Sequence, residues 1–154
     1  GGDGTFDDEA YPFTFEYPDD WSESDDVTID QELGASGLDR RAAAIDDTNG
    51  IIVERYELNI AVDEDNRDLA QDELDGLILS VDSSAGTGQP GETGGYPSIT
   101  YDEVDVPEPD GAVSKLVALF DGDQEYLINC QSTEEHRDEV DEGCQQALDT
   151  LEPK

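Results

Sequence analysis

The side chains best able to do chemistry in this chain are few. They are two cysteines, Cys130 and Cys144, one histidine, His136, and the glycine-rich stretch Gly86-Thr-Gly88-Gln-Pro-Gly91, within 154 residues. The glycine spacing is that of a dinucleotide-binding turn, which must follow a strand and open a helix so that pyrophosphate meets the helix N-terminus. Here it follows a helical pattern and opens onto a loop, so that chemistry is not expected. The same stretch has P-loop spacing from Gly86 to Thr93, but Glu92 stands where a lysine is required and would repel a phosphate. Gly86, Gly88, Gly91, Gly94 and Gly95 are therefore read as a mobile loop and a candidate binding loop, because long connections of this kind are often functional.

Other candidates dissolve on inspection. Asp63-Glu-Asp65-Asn-Arg67-Asp68 begins like a calcium loop, yet Arg67 holds the fifth position, glycine is missing from the sixth, and Leu74 stands where a bidentate glutamate belongs. An acidic helix N-terminus is the simpler reading. His136 opens an acidic helix with no nucleophile motif to serve and reads as a solvated imidazole. Paired carboxylates of the glycosidase kind are swamped among 42 acids. Asp102, Glu103, Asp105 and Glu108 to Asp110 offer weak, nonspecific cation binding. No catalytic residue, resident metal or cofactor is assigned.

The cysteines speak of architecture. Cys130 ends an alternating strand and Cys144 lies on the apolar stripe of the following helix, so a bridge would tie helix to sheet. A loop of that length is worth about 3 kcal/mol on the chain-entropy argument and implies an oxidising, extracytoplasmic setting. Two buried thiols in a cytosolic protein are the alternative. Zinc is disfavoured, since two cysteines and His136 do not make four ligands.

The elements that must position these residues follow from periodicity. Phe13, Phe15 and Tyr17 alternate as a strand, Pro18-Asp19-Asp20 turns the chain, and Trp21 caps the core. Val27, Ile29 and Leu33 give a second strand, Ala42 to Ile45 a third, and Ile51 to Val62 a long one with Tyr56, Leu58, Ile60 and Val62 on one face. Ala70, Leu74, Leu77, Ile78 and Val81 then fall on one stripe of a helix, with Asp65 or Asn66 as its N-cap. Strand-like Ser98 to Val106 and the connector Pro107 to Gly111 lead into a hairpin, Ala112 to Phe120 against Gln124 to Gln131, turning at Asp121-Gly122-Asp123. Ser132-Thr-Glu-Glu135 fits a capping box, followed by a second helix with Val140, Cys144, Ala147, Leu148 and Leu151 on one side. The fold class expected is α+β, an αβα sandwich whose mainly antiparallel sheet of six to seven strands is covered by two main helices. Residues 1–10 read as a flexible leader and 11–154 as a single domain.

Charge bounds the partners. With 42 acidic residues against 7 basic ones the net charge is −35. So much like charge opposes a compact state at low ionic strength, whereas near 1 M salt the screening length falls to about 3 Å. The apolar residues are nonetheless gathered in periodic segments, so the domain is read as folded, with a surface suited to concentrated salt. Nucleic acid and anionic membranes need a basic patch, and Arg40-Arg41 is the only basic pair. No apolar run approaches the length of a membrane span.

Phe13-Thr-Phe-Glu-Tyr-Pro-Asp-Asp-Trp21 resembles the aromatic strand and Y-P-x-x-W opening of PsbP-like proteins. Glu125-Tyr126-Leu-Ile128-Asn-Cys130, followed by a helix carrying Cys144, resembles the close of many secreted lipoprotein members. The resemblance implies the αβα sandwich, a noncatalytic fold shared by photosystem II extrinsic subunits, a Ran-binding relative and surface lipoproteins, and here a halophilic archaeal version. It offers no shared catalytic residue. The leading expectation is a noncatalytic extracellular or cell-surface binding or accessory domain, once tethered by a lipidated N-terminus, monomeric, with an unknown protein or small-molecule partner. The alternatives are a hydrolase using acidic residues near Gly86 to Gly95, and a cytosolic halophilic protein with reduced cysteines. Lowering salt from molar to millimolar should unfold the domain cooperatively in circular dichroism melts. An unchanged melting temperature across that range contradicts the salt argument.

Overall fold

A computed structural model describes residues 4–7, 11–18, 21–24, 39–45, 49–84, 86–105 and 111–154. The strand expected around Val27 to Leu33 and the connector from Pro107 to Asp110 lie outside the described residues. The strands are β1 (Gly4–Phe6), β2 (Phe13–Tyr17), β3 (Ser22–Ser24), β4 (Asp39–Ala44), β5 (Gly50–Val62), β6 (Gln89–Thr93), β7 (Tyr96–Asp105), β8 (Val113–Ser132) and β9 (Glu152–Pro153). The helices are α1 (Arg67–Val81) and α2 (Arg137–Thr150), the second preceded by a 3-10 turn at Glu134–His136. A six-stranded antiparallel sheet runs β3-β4-β5-β8-β7-β6, and a three-stranded one runs β1-β2-β9.

The expected hairpin lies within β8. At about 3.3 Å per residue a straight run of its 20 residues would reach about 65 Å. Yet Arg137 Nη2, just beyond the end of the run, donates to the carbonyl of Gly111, just before its start, at 3.0 Å. The run therefore doubles back at Gly122, whose φ of 63° suits a residue without Cβ. Its first arm pairs with β7, Ser98 opposite Leu119, and its second with β5, Val53 opposite Ile128. Both arms are buried on both faces, which explains the near-continuous apolar runs Leu116 to Phe120 and Tyr126 to Ile128.

Each face has its own core. On one, Val53, Val117, Leu119, Tyr126 and Ile128 meet α2 and the three-stranded sheet. Phe13 lies edge-on to Tyr126 with ring centroids 5.3 Å apart, and Tyr11 donates its hydroxyl to the Val53 carbonyl at 3.0 Å. On the other face, Ile99, Tyr101, Leu116, Ala118, Phe120 and Leu127 meet α1 through Ile78, Ala70 and Leu74. The result is the expected α+β sandwich. Cys130 and Cys144 form a disulfide beneath α2, with Cα atoms 6.0 Å apart.

Three expectations need correction. The leader is not wholly free: Gly4–Phe6 pairs with β2, and Phe6 is buried, stacked on Phe15. The capping box does not form, because Ser132 is still in the strand and Thr133 donates its N–H to Asn49 Oδ1 at 2.7 Å. The tie to Asn49 across the sheet holds Thr133 extended, so α2 begins only after the 3-10 turn, and no side chain caps it. Asn66 does stand at the N-cap position of α1, but its side chain braces the preceding turn through Asp63 N and Ala61 O rather than capping the helix.

Gly143 on α2 marks the tightest contact of that helix with the N-terminal segment. A Cβ there would lie 2.4 Å from the Trp21 ring and 3.1 Å from Pro18 Cδ, whereas one at Gly76 on α1 would meet nothing. Gly143→Ala should therefore destabilise the domain by about 1–3 kcal/mol in denaturant titration, while Gly76→Ala should stabilise it by up to about 1 kcal/mol. Equal effects at the two positions would refute the Trp21 packing.

Candidate functional site

The seating of α1 creates an apolar cavity. Three stripes run along this helix at four-residue spacing. Arg67, Gln71 and Asp75 reach β6, β7 and the segment before them: Arg67 Nη1 donates to Gly91 O at 2.6 Å and Gln71 Nε2 to Gly88 O at 2.8 Å. Asp75 Oδ1 accepts from Gly88 N at 3.0 Å and from the Tyr101 hydroxyl at 2.5 Å. Burial, reinforced by that hydrogen bond, pushes the Tyr101 phenol far above its ordinary pKa. At the helix end, Asp82 accepts from the Asp105 backbone at 3.0 Å. The second stripe, Ala70, Leu74 and Ile78, lies on the sheet. The third, Leu69, Glu73 and Leu77, has no sheet beneath it.

The reason lies in β5. Pairing of β5 with β8 is regular as far as Glu57 opposite Gln124, then slips so that Val62 faces Gly122. Residues 58–61 stand against Asp123 alone, three more than a regular ladder holds, and bow away from it. Ile60, expected on the buried face with Tyr56 and Leu58, is exposed, as are Leu69 and Leu77. Between the bowed strand and the helix lies a cleft of about 430 Å³, walled by Tyr56, Leu58, Val62, Leu69, Leu74 and Leu77, with Glu57, Glu73 and Glu125 as its charged groups.

Glu125 sits directly opposite Tyr56 in the ladder. Burial first, and the negative charge of Glu73 second, push its pKa up to about 7. Tyr56 turns its hydroxyl to the buried Glu54, donating at 2.9 Å. Apart from Tyr56, the described residues of the lining offer no side-chain hydrogen-bond donor when its carboxylates are ionised. Apolar walls with a few acceptors are suited to holding a ligand; they are poorly suited to orienting a polar substrate, which needs donors as well.

The glycines singled out by sequence do not form one loop. Gly86 and Gly88 lie in irregular chain, Gly91 is within β6, and Gly94 and Gly95 are the hairpin turn, with φ of 59° and 88°. Such a turn is the type I′ pattern that suits a two-residue hairpin. Gly88 is buried where a Cβ would lie 2.4 Å from Ile99 Cγ2, and Gly94 abuts Leu151. A smaller hollow of about 280 Å³ joins Gly86 and Thr87 to Thr100, Tyr101 and the exposed Asp102 and Glu103. His136 lies elsewhere, 3.2 Å from Glu139 Oε1 on its own helix. The disulfide is remote from both hollows, in the core shared with α2.

Sequence reasoning missed the cleft, although a signal was present. Leu69 and Leu79 exceed what one buried stripe requires and are exposed, and Leu77, expected on that stripe, is exposed as well because the helix is seated toward β6 and β7.

Solved structures place this architecture among known folds. The chain is similar to cyanobacterial PsbP (CyanoP) from Synechocystis sp. PCC 6803, with a TM-score of 0.61 and 13% identity over 99% of this chain and 93% of that one. It is also similar to a protein from Bacteroides thetaiotaomicron VPI-5482, with a TM-score of 0.59 and 14% identity over 100% of this chain but 49% of that one. The fold is PsbP-like, as the aromatic opening and the cysteine-bearing close imply. No protein-family model and no curated protein matches the sequence.

The raised Glu125 pKa has a measurable consequence. The folded state keeps this proton, while the unfolded chain releases it near the ordinary 4.5, so its contribution to stability falls as pH rises from about 4.5 to about 7 and is flat above. Glu125→Gln should thus stabilise the protein at pH 8 by up to about 3 kcal/mol, at about 1.4 kcal/mol per unit, and change little at pH 4. Equal effects at the two pH values in thermal melts would show that Glu125 is not held protonated.

Proposed function

We propose that this is a noncatalytic extracytoplasmic binding or accessory domain adapted to concentrated salt, and that the cleft between α1 and β5 is its binding site. The observation that carries the reading is the cleft itself, where three of the four exposed large apolar side chains among the described residues, Ile60, Leu69 and Leu77, gather around one cavity. The disulfide supports an oxidising compartment, and the net charge of −35 supports a saline one. Attachment to the cell surface through an upstream lipidated segment, an archaeal halophilic source and a monomeric state belong to the same proposal, on the strength of the family resemblance and the acidic composition. The stretch from Gly86 to Gly95 is a less favoured binding element, because half of it is engaged as a sheet edge.

A hydrolase is the competing reading, and one observation favours it at a place other than the glycine-rich stretch. A carboxyl held protonated to about 7 beside a second carboxylate is what a general acid requires. The lining argues against it, since a transition state needs oriented donors and the walls are hydrocarbon.

Nile red, a neutral dye that brightens in apolar surroundings, tests the site in molar salt. It should bind the full chain, and Leu69→Ser/Leu77→Ser, which alters exposed positions only, should weaken binding at least fivefold, about 1 kcal/mol. Undiminished binding by the double variant would remove the cleft from consideration.

A further inference from the structure

We propose that the cleft between α1 and β5 takes a small organic cation with an apolar body, its ammonium end against Glu73 and Glu125 and its hydrocarbon on the leucine walls. The inference rests on the cleft being the binding site and adds the chemical class of the ligand. Charge complementarity selects it. Among the described residues, the charged groups of the lining are Glu57, Glu73 and Glu125, and no lysine or arginine joins them. Nearby arginines are committed elsewhere: Arg67 to the carbonyl of Gly91, Arg55 to Gln124 Oε1 at 3.1 Å. An anion would meet three acidic groups and, among the described residues, no side-chain donor beyond a tyrosine once they are ionised, whereas a neutral apolar ligand would gain nothing from those groups.

The polar and apolar features are set to be met by one molecule. Glu73 lies between Leu69 and Leu77 on the same helical stripe, so hydrocarbon and carboxylate alternate along one wall. Tyr56, opposite Glu125 in the ladder, contributes an aromatic side chain to the other wall, and ring faces attract ammonium groups. A cavity of about 430 Å³ lies within the range used for small ligands, roughly 300–1,000 Å³. A partly buried ion pair also survives molar salt better than a surface pair, which a screening length of about 3 Å all but abolishes.

Binding of a cation should drive the Glu125 proton off. Glu125 faces Tyr56 and Glu57 from β5 and Glu73 from α1, with Glu54 behind Tyr56 and the Asp75–Tyr101 pair at the α1–β7 seam. Glu125 is the member of this group whose proton is held up to about 7, so affinity for a cation should rise with pH between 6 and 8 and level off above.

The test is calorimetric titration of the full chain in molar sodium chloride with hexyltrimethylammonium, hexanol and heptanoate, at pH 6 and 8. Hexyltrimethylammonium should bind about tenfold tighter than hexanol at pH 8, with proton release at pH 6 seen as a buffer-dependent enthalpy, and heptanoate should not bind measurably. Glu73→Gln, at an exposed position, and Glu73→Gln/Glu125→Gln should progressively abolish the preference for the cation over hexanol. Hexanol binding as well as the cation, or a preference retained in the double variant, overturns the inference. Loss of Nile red binding from the unaltered chain would instead sink the underlying site, so the two failures are distinguishable.

Discussion

The edge-to-face contact of Phe13 with Tyr126 is the joint on which one side of this molecule rests. Tyr126 belongs to the second arm of β8 in the middle of the large sheet, and Phe13 to the middle strand of the small one. Tyr11, Phe15 and Tyr96 complete the cluster around Phe13, with centroids 5.8–6.4 Å from its ring. Through this cluster and the apolar side chains around it the three-stranded sheet lies on the large one, and α2 packs against β2. The disulfide reinforces the same side from the other end of the arm, joining Cys130 to α2 at Cys144. Here apolar area, aromatic geometry and a covalent link all act on one face.

The opposite face is held differently. Its apolar contacts are fewer, and polar side chains of α1 draw the helix toward β6 and β7 through backbone carbonyls and amides. Each such bond contributes on the order of 1 kcal/mol, but together they fix where the helix lies. Because they all lie on one flank, the other flank stands open over β5. The cleft is thus a product of asymmetry: a helix secured along one edge, above a strand whose ladder breaks at 58–61.

What could be read from sequence divides along the same line. β5, α1, α2, the β8 hairpin and the cysteine pairing were legible because each leaves a periodic trace: alternation in a strand buried on one face, a stripe in a helix, Asp-Gly at a turn. β6 was not, since Gln89-Pro-Gly-Glu-Thr93 is exposed over most of its length and has no apolar alternation to betray it. β1 was hidden among glycines and aspartates, its one buried ring, Phe6, being too little to form a pattern. Thr133 shows a third kind of failure. Its capping signal was real in sequence terms, but a tie to Asn49, distant in the chain, kept it extended. The cleft was illegible for the same reason, because it depends on where a helix is pinned and where a ladder slips, and neither is a local property.

The outer strand β6 bears on how such a molecule stays apart from its copies. In dilute buffer, a charge of −35 would hold chains well separated; at molar salt that long-range repulsion collapses to about 3 Å and two sheets could zip edge to edge. β6 is poorly equipped to accept a visitor. Pro90 has no N–H to give, and Glu92 brings a charge to contact range, where screening no longer helps an intruder. At this rim of the sheet, resistance to another strand at high salt would then depend less on the sheer number of carboxylates than on a proline and a glutamate two residues apart.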